Sequence, residues 1–347
     1  MDLRNEPPRL YPDDEPPRAP KPLKQWLTTT PLGCALLAVV PAAVLGAGLT
    51  YLSTNVFKAY GLLLFVAVPL LGGLVANTIY TWRADPDEPR PGLLASLVTV
   101  VLAALSTLAL LVASALEGLI CVLMAAPLAL VMALAGALLG NSLGRLISRR
   151  NSGRVLSVLV LLYPAGQALE ARYPAPAPPH LVVTRQRINA RPERVWQVLT
   201  RPVQYPPEVG WLFRAGVAYP TRTALEVSPD GRRELRCAYS QGAARLPVTG
   251  WLPGRELTFR VPETPAPMQE LSPYPRIHAP HLHGYFRVLR GSFRLLPQPD
   301  GGTVLEATTE YQHSIAPSSY WQLWSEYLLD DMHQRVLTAI QTQAEHE

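Results

Sequence analysis

Three stretches nearly free of charge decide what this chain can fold into. Residues 31–57 and 59–82 hold no charged residue, and between Pro91 and Gly144 the only one is Glu117. A bilayer core of about 30 Å is crossed by roughly 20 apolar residues in a helix. Residues 32–53, 59–82, 93–115 and 118–142 each reach that length. The connections "TNVFK" and "SALEG" read as tight helical hairpins. Past residue 175 charge returns throughout, so the 347 residues divide into an all-α transmembrane bundle and a soluble module.

Residues 1–25, dense in proline and charge, read as a disordered tail. They are not a signal peptide, because the first apolar run begins too late. The helical region covers 26–170, with four helices and a candidate fifth at 155–170. There Pro164 and Gln167 interrupt a shorter apolar run, which would cross the membrane or lie at its interface. Basic residues set the orientation. Arg18, Lys21 and Lys24 precede the first helix, Arg83 and Arg90 follow the second, and Arg145, Arg149, Arg150 and Arg154 follow the fourth. The opposite loops hold only Lys58. This predicts a multi-pass protein of the cytoplasmic (inner) membrane with a cytoplasmic N-terminus. A fifth crossing puts the C-terminal domain outside, the side slightly favoured.

Gly136, Gly140 and Gly144 lie four apart on one helix face, a surface that admits a close helix neighbour. Packing against the chain's own helices is the first expectation and a homodimer the second. Glu117, at a predicted turn, reads as an interfacial residue and not a proton relay. The net charge of +5 does not point to nucleic acid. Much of the N-terminal excess sits beside apolar segments, and no run alternates basic and aromatic residues. Only three of the 31 basic residues are lysine, a skew that reads as high-GC, bacterial codon usage. Cys34, Cys121 and Cys237 form no CxxC or Cys/His spacing, which leaves no disulfide scaffold, no structural zinc and no cofactor to expect.

"ARYPAPAPPH", residues 171–180, is a proline-rich linker. Beyond it, 181–345 reads as one domain. A strand, "LVVTRQRIN", leads to a helix with proline in its first turn, "PERVWQVLT". Strand candidates follow at 215–228, 232–240, 244–251, 255–261, 284–297 and 302–313. A long amphipathic helix, 317–343, closes the chain with Trp321, Trp324, Leu328, Met332, Val336 and Ile340 on one face. The sum is an α+β domain, an antiparallel sheet gripping a long C-terminal helix.

"INARPERVWQVLT" resembles the opening of the SRPBCC superfamily, the START-like or polyketide cyclase/dehydrase-like helix-grip fold. The likeness continues through "FRAGVAYP", "PAPMQELSPY", "PHLHGYFRVLRGSFRL", "YWQLWSEYLLDDMHQRVL" and, upstream, "EGLICVLMAAP". Together these resemble a bacterial group that joins a multi-pass N-terminal region to an SRPBCC domain, and they cover most of residues 93–343. The resemblance implies a cavity between sheet and C-terminal helix that takes apolar ligands, lipids or polyketides. It names no reaction. Where the group tends to carry acidic residues, this chain has Ala238 and Leu246.

Alternation along the strands selects the cavity wall. It gives Leu235, Cys237 and Tyr239 on one strand, and Tyr285, Arg287, Leu289, Phe293 and Leu295 on another. On the last strand it gives Leu305, Ala307, Thr309, Tyr311 and His313. Trp321 and Trp324 face them from the helix. Most of these are expected to be plain core. Arg287 is the exception, a charge that needs a carboxylate or an anionic ligand head. The long loop before residue 284 is expected to cover the cavity mouth through Met268, Leu271, Tyr274, Ile277, His278 and His281. The triplet His278, His281 and His283 reads as loop histidines before a metal site, since no fourth ligand lies within it. These readings converge on a membrane-anchored module that binds or transfers a hydrophobic ligand, with membrane lipids as its surroundings. The alternative is a cyclase, dehydratase or hydrolase using the same cavity, though no nucleophile–base pair is legible.

Overall fold

The computed structural model describes residues 23–82, 91–146, 149–174, 177–263, 268–269 and 284–346. Of the expected tail only residues 23–25 fall inside it, and they begin helix α1 (Leu23–Thr29). Leu271, Tyr274, Ile277 and the three loop histidines lie outside the described residues.

Thr30 starts α2 (Pro31–Tyr51): its hydroxyl accepts the Gly33 N–H at 3.0 Å, and Pro31 occupies the first turn. A π-helical turn, Leu52–Val56, extends it, and a second, Leu63–Ala67, leads into α3 (Val68–Thr81). Helices α4 (Leu93–Ala113), α5 (Leu119–Leu146) and α6 (Arg149–Arg172) follow. Several hydroxyls in these apolar helices are satisfied internally. Thr50, Ser53, Thr78, Thr99 and Thr107 each donate to the carbonyl four residues earlier, which lets them sit in apolar surroundings without an orphaned donor. Four helices, Leu32–Val56, Leu63–Thr81, Leu93–Ala113 and Leu119–Leu143, are long and apolar enough to cross a membrane.

Glycine is required where α3 meets α5. A Cβ on Gly136 would fall 2.1 Å from the Leu70 carbonyl oxygen, and one on Gly140 would fall 2.8 Å from Asn77 Nδ2. That face of α5 is therefore filled by α3 of the same chain. This is the first of the two expectations for Gly136 and Gly140, packing against the chain's own helices.

Helix α6 runs the length of the bundle. Gly153, near its start, faces the Trp82 ring that ends α3, and the Glu170 carboxylate, near its finish, accepts the N–H groups of Leu62 (2.6 Å) and Leu63 (3.2 Å). It thus delivers the chain to the end of the bundle where the 57–62 and 114–118 turns lie.

The C-terminal part is a curled antiparallel sheet of eight strands in the order β1-β8-β7-β6-β5-β4-β3-β2. The strands are β1 (His180–Ile188), β2 (Val203–Gln204), β3 (Pro220–Val227), β4 (Arg233–Tyr239), β5 (Gly242–Leu252), β6 (Glu256–Arg260), β7 (Phe286–Pro297) and β8 (Thr303–His313). Between β1 and β2 lies α7 (Pro192–Leu199), and between β2 and β3 the short α8 (Trp211–Arg214). Residues 215–219, expected as strand, instead form the turn out of α8, with Val217 in an isolated bridge to Met268. The closing helix α9 (Ser318–His346) lies in the curl. Its C-terminal half buries Leu337 and Ile340 against Ile188, Val195, Leu295 and Leu305. Midway, the Arg335 guanidinium donates to the carbonyls of Pro206, Glu208 and Pro220, tying α9 to β3 and the segment before it.

The N-terminal half of α9 packs on the helical bundle as well. Trp321 meets Phe65 edge-on with ring centroids 4.9 Å apart, and Ile120 and Met124 of α5 share a core with Leu212, Phe213 and Val217. The Ala316 N–H donates to the Tyr60 carbonyl at 3.1 Å. The proline-rich segment joins two parts that share one core.

Candidate functional site

A cavity of about 360 Å³ opens where the sheet, α9 and the bundle meet, within the ~300–1,000 Å³ usual for small-molecule pockets. Its upper wall is the concave face of the sheet, with Leu235, Cys237, Tyr239, Leu246, Phe293 and His313, closed by Trp321, Trp324 and Leu328 of α9. Its lower wall comes from four apolar helices, where small residues such as Gly46, Gly72, Ala103, Thr107 and Ala129 stand among larger ones such as Leu64, Phe65 and Leu108. The lining is continuous across the two. Among the described lining residues Glu117 is the one carboxylate, and there is no lysine or arginine. Glu117 is buried, and its Oε1 accepts the Tyr60 hydroxyl at 3.1 Å.

The strands place their residues by alternation, with one interruption. On β8 every odd position from Thr303 to His313 is buried, and the Glu306 and Glu310 carboxylates on the other face pair with Arg185 and Arg290. On β7 the register slips between Val288 and Arg290. Before the bulge the even positions Phe286 and Val288 face the cavity, and after it the odd ones, Gly291, Phe293 and Leu295, turn inward. A bulge inserts one unpaired residue and inverts the phase beyond it. Arg287 is therefore exposed, and neither it nor Leu289 lines the cavity. The anionic-head role expected of Arg287 is corrected on this ground.

Other expected wall residues divide. Tyr285 lies between the two parts: its ring meets Tyr60 edge-on at 5.0 Å, and its hydroxyl donates to the Lys58 carbonyl at 2.5 Å. Tyr311 is fully buried behind the wall against Val182 and Leu329, and burial, then the Glu326 charge, pushes its phenol up to about 12. Met268 lines the cavity with its sulfur 3.8 Å from that of Cys121. Cys237 is buried beside the Thr223 hydroxyl, and burial pushes its thiol up, which keeps it protonated and a weak nucleophile.

Two polar groups at the wall lack hydrogen-bond partners among the described residues. His313, 4% exposed, has none of hydrogen-bond geometry at either ring nitrogen, and the Trp321 indole N–H, on a residue 8% exposed, has none. Leaving a buried polar group unmet costs about 1–3 kcal/mol. Burial lowers the His313 pKa, the stacked His180 ring adds to this, and the backbone at Ile315 opposes both.

A site residue that sequence reasoning missed is His333, on the cavity-lining face of α9. Its Nδ1 lies 2.9 Å from the Thr184 hydroxyl and its Nε2 lies 2.7 Å from the Thr309 hydroxyl. Thr184 gives its proton to Asp330 at 2.5 Å, so toward His333 its oxygen can only accept. The proton thus sits on Nδ1, and Nε2 accepts from Thr309 at the cavity wall. The available signal was spacing: His333 adjoins Met332 and falls three residues before Val336, on the face already read as apolar.

Sheet order and gripping helix define the class: an α+β helix-grip domain preceded by apolar helices, with its cavity at the junction. No protein-family model matches the chain, and no curated protein matches it. Among solved structures it is similar to the Zhui aromatase/cyclase from Streptomyces sp. R1128, at 13% identity over 48% of this chain and 94% of that one, TM-score 0.30. It is also similar to truncated norcoclaurine synthase from Thalictrum flavum, at 12% identity over 50% and 98%, TM-score 0.28. A protein from Chromobacterium violaceum matches at 15% identity over 48% and 98%, TM-score 0.30. Scores this low add nothing to the fold defined by the sheet and helix themselves.

Burial, opposed by the Asp330 carboxylate, pushes the His333 pKa down to about 4, against about 6.5 when unfolded. Between these values the unfolded chain binds the extra proton. The stabilisation is therefore complete above pH 6.5 and is lost as pH falls toward 4. We expect acidification from pH 7.5 to 5 to remove about 2 kcal/mol through this group. His333→Gln should flatten the unfolding-versus-pH curve by that amount. Superimposable wild-type and variant curves would contradict the assignment.

Proposed function

We propose that the chain is a membrane-anchored protein that binds or moves a lipid-like molecule, a member of the SRPBCC superfamily of the bacterial, multi-pass kind it resembles. The observation that carries this reading is the continuity of the cavity. Apolar sheet residues and small bundle residues line one space, so a molecule drawn from between the helices reaches the helix-grip interior without crossing water. An apolar ligand gains about 25 cal/mol per Å² of surface removed from water, and this route keeps that surface covered throughout.

The orientation follows from the arginine-rich end. With the N-terminus cytoplasmic in an inner membrane, four crossings return the chain to that side at Arg145. Helix α6 then runs the bundle's length as a fifth crossing. The helix-grip domain, seated on the 57–62 and 114–118 turns, lies on the extracytoplasmic side. Ser228→Cys, in the exposed turn after β3, should react with a membrane-impermeant maleimide on intact cells. Reaction only after permeabilisation would overturn this placement.

A second reading, cyclase, dehydratase or hydrolase, is favoured by one observation: His333 Nε2 holds the Thr309 hydroxyl at the cavity wall, positioned to exchange a proton with an occupant. The two readings part in one experiment. Native mass spectrometry of the full chain from non-ionic detergent is expected to show a co-purifying lipid. Ser325→Trp, which fills the cavity from α9, should abolish it while leaving the melting temperature within a few degrees. Equal lipid occupancy in wild type and Ser325→Trp contradicts the proposed site. Chemical alteration of the bound molecule by wild type but not by His333→Gln would make the protein an enzyme.

A further inference from the structure

The polar groups of the cavity wall restrict what it holds. This rests on the reading of the cavity as a hydrophobic-ligand site. Trp321 can only donate a hydrogen bond, and a neutral imidazole such as that of His313 donates one and accepts one. Both side chains are more than nine-tenths buried, both line the cavity, and among the described residues neither has a partner in hydrogen-bond geometry. His313 ends β8 and Trp321 stands in the first turn of α9, with only residues 314–317 between the two elements. Charge at the wall points one way: Glu117 is the carboxylate there, and no lysine or arginine lies among the described lining residues. An anionic head would meet no lysine or arginine among the described lining residues, whereas an uncharged oxygen meets two waiting groups.

We propose that His313 and the Trp321 indole N–H form a polar subsite for the oxygen of an uncharged, otherwise apolar ligand: a long-chain ketone, ester or alcohol. The oxygen accepts from Trp321, and His313 supplies a second donor to a carbonyl or an acceptor to a hydroxyl. The alkyl chain then extends past Leu328 and Phe293 toward the small-residue wall of the bundle. The apolar lining acts as a filter against free carboxylates and phosphates.

The test uses the full chain in nanodiscs loaded with Nile red, with empty nanodiscs as the blank. Displacement is measured with three probes of equal length: 2-tridecanone, tridecane and tridecanoate. We expect the ketone to displace at a concentration about ten-fold or more below the alkane, the scale of one buried hydrogen bond, and tridecanoate to be weaker than the ketone. Trp321→Phe keeps the ring and removes the N–H, and it should reduce the ketone-to-alkane ratio to about one. Equal displacement by ketone and alkane in the wild type overturns the subsite while leaving the cavity reading intact. Tightest binding by tridecanoate overturns the charge argument. Failure of all three probes to displace the dye overturns the cavity reading on which the subsite rests. Should Trp321→Phe fail to take up dye, the wild-type ratio alone decides.

Discussion

The contact on which the rest of this structure depends is the seating of α9's first turns on the helical bundle. The Trp321 indole meets Phe65 edge-on, Tyr320 donates to the Met124 carbonyl, and Ile120 and Met124 close the space beneath α8. An aromatic pair of this kind is worth about 0.5–1.5 kcal/mol beyond its buried area, a modest sum. Its larger effect is positional. One helix is held by the sheet through Leu337 and Ile340 and by the bundle through Trp321, so the open end of the curled sheet is fixed over the gap between the helices. Without that double hold the helix-grip cavity would face solvent and the bundle would have no continuation.

Small residues complete the arrangement. Gly136 and Gly140 let α3 and α5 approach closely and Gly46 admits the Thr107 side chain of α4, while Gly72 faces open space at the cavity. Packing in protein interiors is close enough that absent side chains are felt as room or as contact. Here the same residue types give contact on one side of α3 and room on the other. The buried Glu117–Tyr60 pair marks the level at which apolar bundle gives way to the mixed wall above.

Much of this was legible in the residues. Charge-free runs delimit the four apolar helices, and alternation on β4 and β8 picks the inward side chains, because a period of two needs only local sequence. The strand β7 shows where that reasoning stops. "FRVLRGSFRL" alternates acceptably in either phase, and the bulge beside Leu289 joins one phase to the other. Gly291 was a usable signal, since a lone glycine within a strand often marks a bulge or a close approach; a Cβ there would fall 2.4 Å from the Phe259 ring. The lower half of the cavity carried no such mark. Alanines and glycines spread over four helices have no shared spacing, and "ARYPAPAPPH" suggests separation where the fold brings contact.

The central claim is that one continuous cavity, walled partly by the bundle and partly by the helix-grip domain, holds one molecule. Photo-crosslinking in nanodiscs tests it most directly, using a diacylglycerol with a diazirine at one chain terminus or, separately, at the glycerol end. Peptide mapping should place the chain-end label on inner bundle positions such as Gly46 and Thr107, and the head-end label near His313 and Trp321. Labels confined to the outer bundle faces, at exposed residues such as Val40, Val44 and Leu102, would contradict it.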